Sequence, residues 1–304
     1  MSKISIHSLK QLLFAIFLVI SAPSLYSQIM DVTDAATPPY TPVSLISDIF
    51  LGEGVDVLSV QFNGQPAAIG AFFNGTQAVG IERGIILTTG NVASNTSNGN
   101  NIVGSELTGI DFASTANGSS ASSSLLAALT TGPLNDVAII TIRFRPTADT
   151  LRFRYCFASE EYPEYGCSKY NDVFGFFISG PGYPSPTNIA IIPGTNLPVA
   201  INNLHPENTA IAGCVPLNEH LFVSNLSSNK QPSYDGLTKV FTATAIVTPC
   251  QTYTIQLAIA DVNDARWDSG VFLEARSFGT NSLKAEILTP PASATMAEGC
   301  DSLT

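Results

Sequence analysis

The sequence predicts an all-β protein, an antiparallel β-sandwich of jelly-roll-like type with long irregular loops and little helix. Three observations predict it. Short apolar runs with period-two alternation recur along the chain, and Gly, Asn, Pro or Gln punctuates them. No stretch of helical period and useful length follows residue 130. Strands do not alternate with helices, so a parallel sheet is excluded.

The strands follow in order. DVLSVQF, AAIGAFF and GIILTTG come first. Residues 93–123 are dominated by Ser, Asn, Gly and Thr and read as a long excursion, with SSLLAALTTG near its end a short helix candidate. VAIITIRFRP and TLRFRYCFA are the clearest strands. In the second, Phe153, Tyr155 and Phe157 alternate with Arg152, Arg154 and Cys156, which puts the aromatic rings on one face. DVFGFFISG, NIAIIPG, KVFTATAIVTPC, TYTIQLAIAD and GVFLEARSF complete the series. No internal repeat of 20–50 residues points to a propeller or solenoid.

The ends read differently. Residues 1–27 carry Lys3 and Lys10, an apolar run from Leu12 to Ile20 and then small residues, the pattern of a secretory signal peptide. The run is shorter than the roughly 20 apolar residues a membrane span needs. Residues 28–43 read as a polar, proline-containing lead-in and 44–284 as the sandwich domain. Residues 285–304 read as a linker and the start of a truncated following domain, so attachment would use a C-terminal region absent here.

Only 12% of the 304 residues are charged, against about 25% in an ordinary globular protein. Losing residues 1–27 removes two lysines and no acid, so the net charge of −11 becomes −13. That balance speaks against nucleic-acid partners and for an exported protein or a cation binder. Cys156, Cys167, Cys214, Cys250 and Cys300 all lie in the exported part, where disulfides are the default. Five is odd, and Cys300 is the natural orphan. Cys167 and Cys214 both sit in loop-like stretches and are read as a pair; the sequence leaves the other pairings open.

Against this scarcity of charge, two windows of 14 residues stand out. Residues 159–172 carry Glu160, Glu161, Glu164 and Asp172; residues 261–274 carry Asp261, Asp264, Asp268 and Glu274. They hold a third of the chain's 24 acids. Each adjoins an aromatic-rich strand, so the carboxylates belong where strands enter loops.

Calcium is the cofactor this chemistry suits. It takes about 6–8 oxygen ligands from carboxylates, amides, carbonyls and water. Asp261, Asn263, Asp264 and Asp268 offer closely spaced oxygens, and Glu160, Glu161 and Asp172 would complete a shell if the windows meet. The spacing is not that of an EF-hand. Ordinary turn chemistry, in which Asp and Asn bond their own backbone, is the competing explanation.

Glycoside hydrolysis is the enzymatic alternative. It needs two facing carboxyls, about 5–5.5 Å apart for retention or 6.5–9.5 Å for inversion. Glu160 and Glu161 would face opposite sides of an extended strand, which leaves Glu160 with Asp261 or Asp268. Trp267, Tyr162, Tyr165 and Tyr170 are sugar-stacking candidates or else rim aromatics. Zinc-binding histidine spacing, a GxSxG elbow and a Walker loop are all absent from the sequence.

SEEYPEYGCSKYNDVFGFFISGPG and IADVNDARWDSGVFLEARSF, with AIGAFFNG, GIILTTG, PVAINN and YDGLTKVFTATAIVTPCQTYTIQLAIAD, resemble the choice-of-anchor L domain over about residues 44–280. The resemblance implies a secreted or outer-surface protein of Bacteroidetes-type bacteria, with type IX secretion as its route. It implies architecture and location more firmly than activity. The expectation is a non-enzymatic module for adhesion or surface structure, stabilised by calcium, with a surface glycan or protein as partner. A carbohydrate-binding or carbohydrate-active protein using the acidic and aromatic loops is the alternative.

Overall fold

The structure, a computed structural model, describes residues 30–36, 38–92, 115–226 and 232–280. The signal peptide, Cys300, residues 285–304 and most of the Ser/Asn-rich excursion lie outside the described residues.

Two antiparallel sheets face each other, as the alternating runs predict. The larger orders β1 (Asp31–Asp34), β3 (Ile69–Phe73), β4 (Gly84–Thr88), β13 (Ser269–Glu274), β6 (Thr150–Ser159), β10 (Gly236–Thr238) and β9 (Phe222–Ser224). Two further strands, β11 (Phe241–Ile246) and β14 (Gly279–Thr280), also pair with β6. The smaller sheet orders β2 (Val55–Asn63), β5 (Leu134–Pro146), β12 (Tyr253–Val262), β7 (Val173–Gly180) and β8 (Tyr183–Asn188).

Helix is sparse. The excursion ends in one turn at Ser124–Ala127, capped by the Ser123 hydroxyl, which accepts from the Leu126 N–H. A second helical stretch runs over Pro42–Phe50, where the sequence pattern suggests none. Pro42 opens it, and Thr41 and Ser44 cap each other's backbone N–H groups. Its Leu45, Ile46 and Phe50 are fully buried in the sandwich core. β1 falls within the 28–43 stretch and is bonded to β3 across its length.

The aromatic face of β6 fills the space between the sheets. Phe153 and Tyr155 lie 4.9 and 4.8 Å from Phe176 of β7, and Phe157 stacks on Phe174 at 4.9 Å. On the other face of β6, Arg152 and Arg154 are exposed but Cys156 is buried with Tyr234 and Leu237. Period two finds the two faces; it does not reveal that residues 232–240 cover one end of the outer one.

The connection between β6 and β7 passes from the larger sheet to the smaller, and the connection between β12 and β13 passes back. β6 is the neighbour of β13, with Ser159 opposite Ser269. β7 is the neighbour of β12, with Val173 opposite Ala260. The two connections are therefore parallel arches over one pole of the sandwich. They are the two acidic windows.

Candidate functional site

The arches are bonded directly to each other. The Glu160 N–H donates to the Asp268 carbonyl at 3.0 Å. Asp172 Oδ1 accepts from the Val262 N–H at 3.0 Å, and Oδ2 accepts from the Ser269 hydroxyl at 2.6 Å. The Ser269 hydroxyl also accepts from the Ser159 hydroxyl at 2.9 Å, and the Ser159 oxygen accepts in turn from the Glu161 N–H. The Asn263 side chain donates to the Lys169 carbonyl at 2.6 Å. These bonds join one arch to the other, so turn chemistry within each loop does not describe Asp172 or Asn263.

The acids at this pole are interior groups. Glu160 is 2% exposed, Asp172, Asp261 and Asp268 are 1%, and Glu161 is fully buried. Asn263 and Asp264 are half-buried, and Glu164 is exposed. The cause is topological: an arch that crosses between sheets turns its side chains down onto the open end of the core.

Two more segments reach the same place. Asp136, near the start of β5, accepts from the Gly118 N–H at 2.8 Å, and Asp268 accepts from the Thr115 N–H at 3.0 Å and its hydroxyl at 2.9 Å. Thr89, just beyond β4, accepts from the Ser269 N–H at 2.9 Å. Asp136 and Thr89 have no sequence signal of their own. They are single polar residues at strand ends, and only the pairing of β5 with β12 and of β4 with β13 brings them here.

Among the described residues, Arg145 pairs with Asp56 and Arg154 with Glu274, and no lysine or arginine pairs with Glu161, Asp172, Asp261 or Asp268. Among the described residues, no well-formed hydrogen bond reaches Glu161 Oε1, Asp136 Oδ2 or the two oxygens of Asp261, although Thr89 and Asp172 stand close enough to Asp261 to act as hydrogen-bond partners. An unpaired charge in such a place costs several kcal/mol, roughly speaking, so the group holds a proton or finds a cation.

Their acidities show the strain. Burial, then the neighbouring Asp172, pushes Glu161 up to about 10. Burial raises Asp172 to about 7, although its bonds from Ser269 and Val262 oppose the rise. Burial raises Asp268 to about 7 against its bonds from Thr115. Asp261 lies well above the carboxylate range, through burial and then the charges of Asp172 and Asp268. Asp136 is also raised by burial.

The carboxylates do not close into a tight cage. Among the described residues, the one trio of metal-ligand type whose donor atoms all lie within 4.8 Å of one another is Cys167, His205 and Cys214. Cys167 and Cys214 form a disulfide. It ties the first arch to the segment that follows a 3-10 turn at Ile201–Asn203.

The aromatic candidates separate. Tyr162 belongs to the core: it is fully buried and its hydroxyl donates to the Leu204 carbonyl at 2.6 Å. That corrects its reading as a sugar-stacking residue. Tyr165, Tyr170 and Trp267 are half-buried on the arches. Tyr165 lies 4.8 Å from Trp267 and edge-on to Tyr170 at 5.5 Å. Trp267 holds φ at 56°, a left-handed conformation uncommon for a bulky residue.

No helix among the described residues is long and apolar enough to cross a membrane. No curated protein and no solved structure matches the chain. A family of surface-associated or secreted modules does match it, over residues 32–279, and both acidic arches fall inside the match. On that match, which covers most of the sequence, the chain belongs to the choice-of-anchor L domain family.

Proposed function

We propose that this chain is a non-enzymatic surface module for adhesion or surface structure, exported by a type IX route, whose acidic pole binds calcium. One observation carries the calcium reading: Glu161, Asp172, Asp261 and Asp268 are buried together, and among the described residues no lysine or arginine pairs with them. A hard dication with oxygen ligands is the chemistry that satisfies such a set.

In this reading Asp261, Asp172 and Glu161 are the inner ligands. Asp268, Glu160, Asp264 and the Asn263 amide surround them. Asp172 and Asp261 lie close enough to share a proton, and the ion takes that proton's place. Calcium then fixes both arches and the rim they present, Tyr165, Tyr170 and Trp267. The half-buried pair of Tyr165 and Trp267 favours a surface glycan as partner. Catalysis by Glu160 with Asp261 or Asp268 is disfavoured because all three lie beneath the surface.

Calcium titration of the chelator-stripped chain at pH 7.5, by calorimetry, tests the reading. We expect saturable binding, lost in Asp261→Asn and in Asp172→Asn. Absence of binding to the folded wild type, or binding indifferent to both substitutions, would refute it. A glycan array probed with and without calcium tests the partner.

A further inference from the structure

The disulfide has a third member that its bonding does not require. His205 is 2% exposed and stands against both sulfurs: Nε2 lies 3.6 Å from Cys167 Sγ and Nδ1 lies 3.9 Å from Cys214 Sγ. Nδ1 also lies 2.7 Å from the Pro206 carbonyl, which can only accept, so Nδ1 carries the ring proton. Nε2 is left with its lone pair beside Cys167. A backbone carbonyl that fixes the tautomer in this way is the usual second partner of a metal-binding histidine.

The frame around the trio does not depend on the S–S bond. The Asn208 amide donates to the Glu164 carbonyl at 2.7 Å and to the Gly166 carbonyl at 3.0 Å. The Cys167 N–H donates to the Asn202 side chain at 2.6 Å. His205 and Leu217 exchange two backbone bonds, at 2.9 and 3.1 Å. The Cys214 N–H donates to the Ile211 carbonyl at 3.1 Å, so the backbones of both cysteines are held by bonds other than the S–S bond.

We propose that Cys167, His205 and Cys214 form a binding site for one thiophilic dication of the zinc class when the disulfide is reduced. Zinc takes thiolate sulfur at about 2.3 Å and imidazole nitrogen at about 2.0–2.1 Å, so donors within 4.8 Å of one another are within reach of a single ion. Cys167 is exposed, which leaves a fourth position open to water. The chemistry balances. A dithiol or phosphine reductant gives two electrons to the S–S bond, two protons make two thiols, and the dication then displaces both thiol protons. Soft sulfur and nitrogen donors set this site apart from the hard carboxylates of the arches. Metal and disulfide are alternative crosslinks over the same gap, each pinning the arch that carries Glu161 and Asp172.

The test uses the full chain with Cys250→Ser and Cys300→Ser, which leaves Cys156 as the only other thiol. Cys156 is fully buried, and burial pushes it up to about 12. Cobalt is titrated into the phosphine-reduced and the oxidised protein, and zinc is then added. The expected result is a sulfur-to-cobalt charge-transfer band that saturates at one equivalent in the reduced protein, is bleached by zinc and is absent from the oxidised protein. Cys214→Ser abolishes the band, His205→Gln weakens binding by at least about tenfold, and Asp261→Asn leaves it unchanged. The absence of a band in the reduced protein overturns the proposal. So does a band that survives in both His205→Gln and Cys214→Ser, or an unfolding on reduction, seen by circular dichroism, that zinc does not reverse.

Discussion

Asp172 accepts the backbone N–H of Val262 at 3.0 Å, so a carboxylate from one arch closes the last turn of the strand that feeds the other. That bond makes the two acidic windows one structural unit. Its partner oxygen takes the Ser269 hydroxyl, at the foot of the returning strand. The pole thus has a defined polar framework, around which lie the buried oxygens of Glu161 and Asp261.

Calcium should stabilise the chain. At a hundred times the dissociation constant, a ligand specific to the folded state adds about 2.7 kcal/mol. For a domain of this size that is a rise in Tm of roughly 5–10 °C. Differential scanning calorimetry with calcium and with a chelator measures it. Asp261→Asn should abolish the rise, because it removes an inner ligand of the ion.

The pH dependence of the ion-free protein has a definite sign. Asp172 and Asp268 are raised in the folded state to about 7 from the ordinary aspartate value of 3.8. Protons are therefore bound more tightly by the folded chain, and the stability they confer is complete below about pH 4 and lost as pH climbs to 7. Glu161, raised to about 10, extends the loss further. Melting of the chelated protein from pH 4 to pH 8 should show a falling Tm, and calcium should flatten or reverse that slope.

Gly90 lets the chain after β4 touch Asp268. A methyl group there would run into the Asp268 carboxylate and the Thr115 hydroxyl. Gly90→Ala should cost about 1–3 kcal/mol, read as a lower urea midpoint, and should weaken calcium binding by moving Asp268.

Trp267 is the chain's one tryptophan, and it lies on the arches against Tyr165. Terbium added in place of calcium should luminesce on excitation of these rings. Excess calcium should quench that emission, and Asp172→Asn should remove it.

Much of this was legible in the sequence because its causes are local. Alternation in TLRFRYCFA sets the faces of β6, and the density of acids in an acid-poor chain marks both arches. What the sequence withholds is long-range. Glu160 and Glu161 read as strand residues on opposite faces, but β6 ends at Ser159 and both turn inward with the arch. Asp136 and Thr89 join the pole only through strand pairing. Tyr162 reads as a rim residue and is core, because the first arch folds its ring under residues 204 and 222. Cys156 alternates with the aromatic face and is buried nonetheless, beneath Tyr234.

The most direct measurement is a crystal structure grown in calcium, with anomalous diffraction to locate the ion. The account predicts a calcium peak between the arches, ligated by oxygens of Asp261 and Asp172. A structure at saturating calcium in which both Asp261 oxygens still lie buried with no ion between the arches would contradict it.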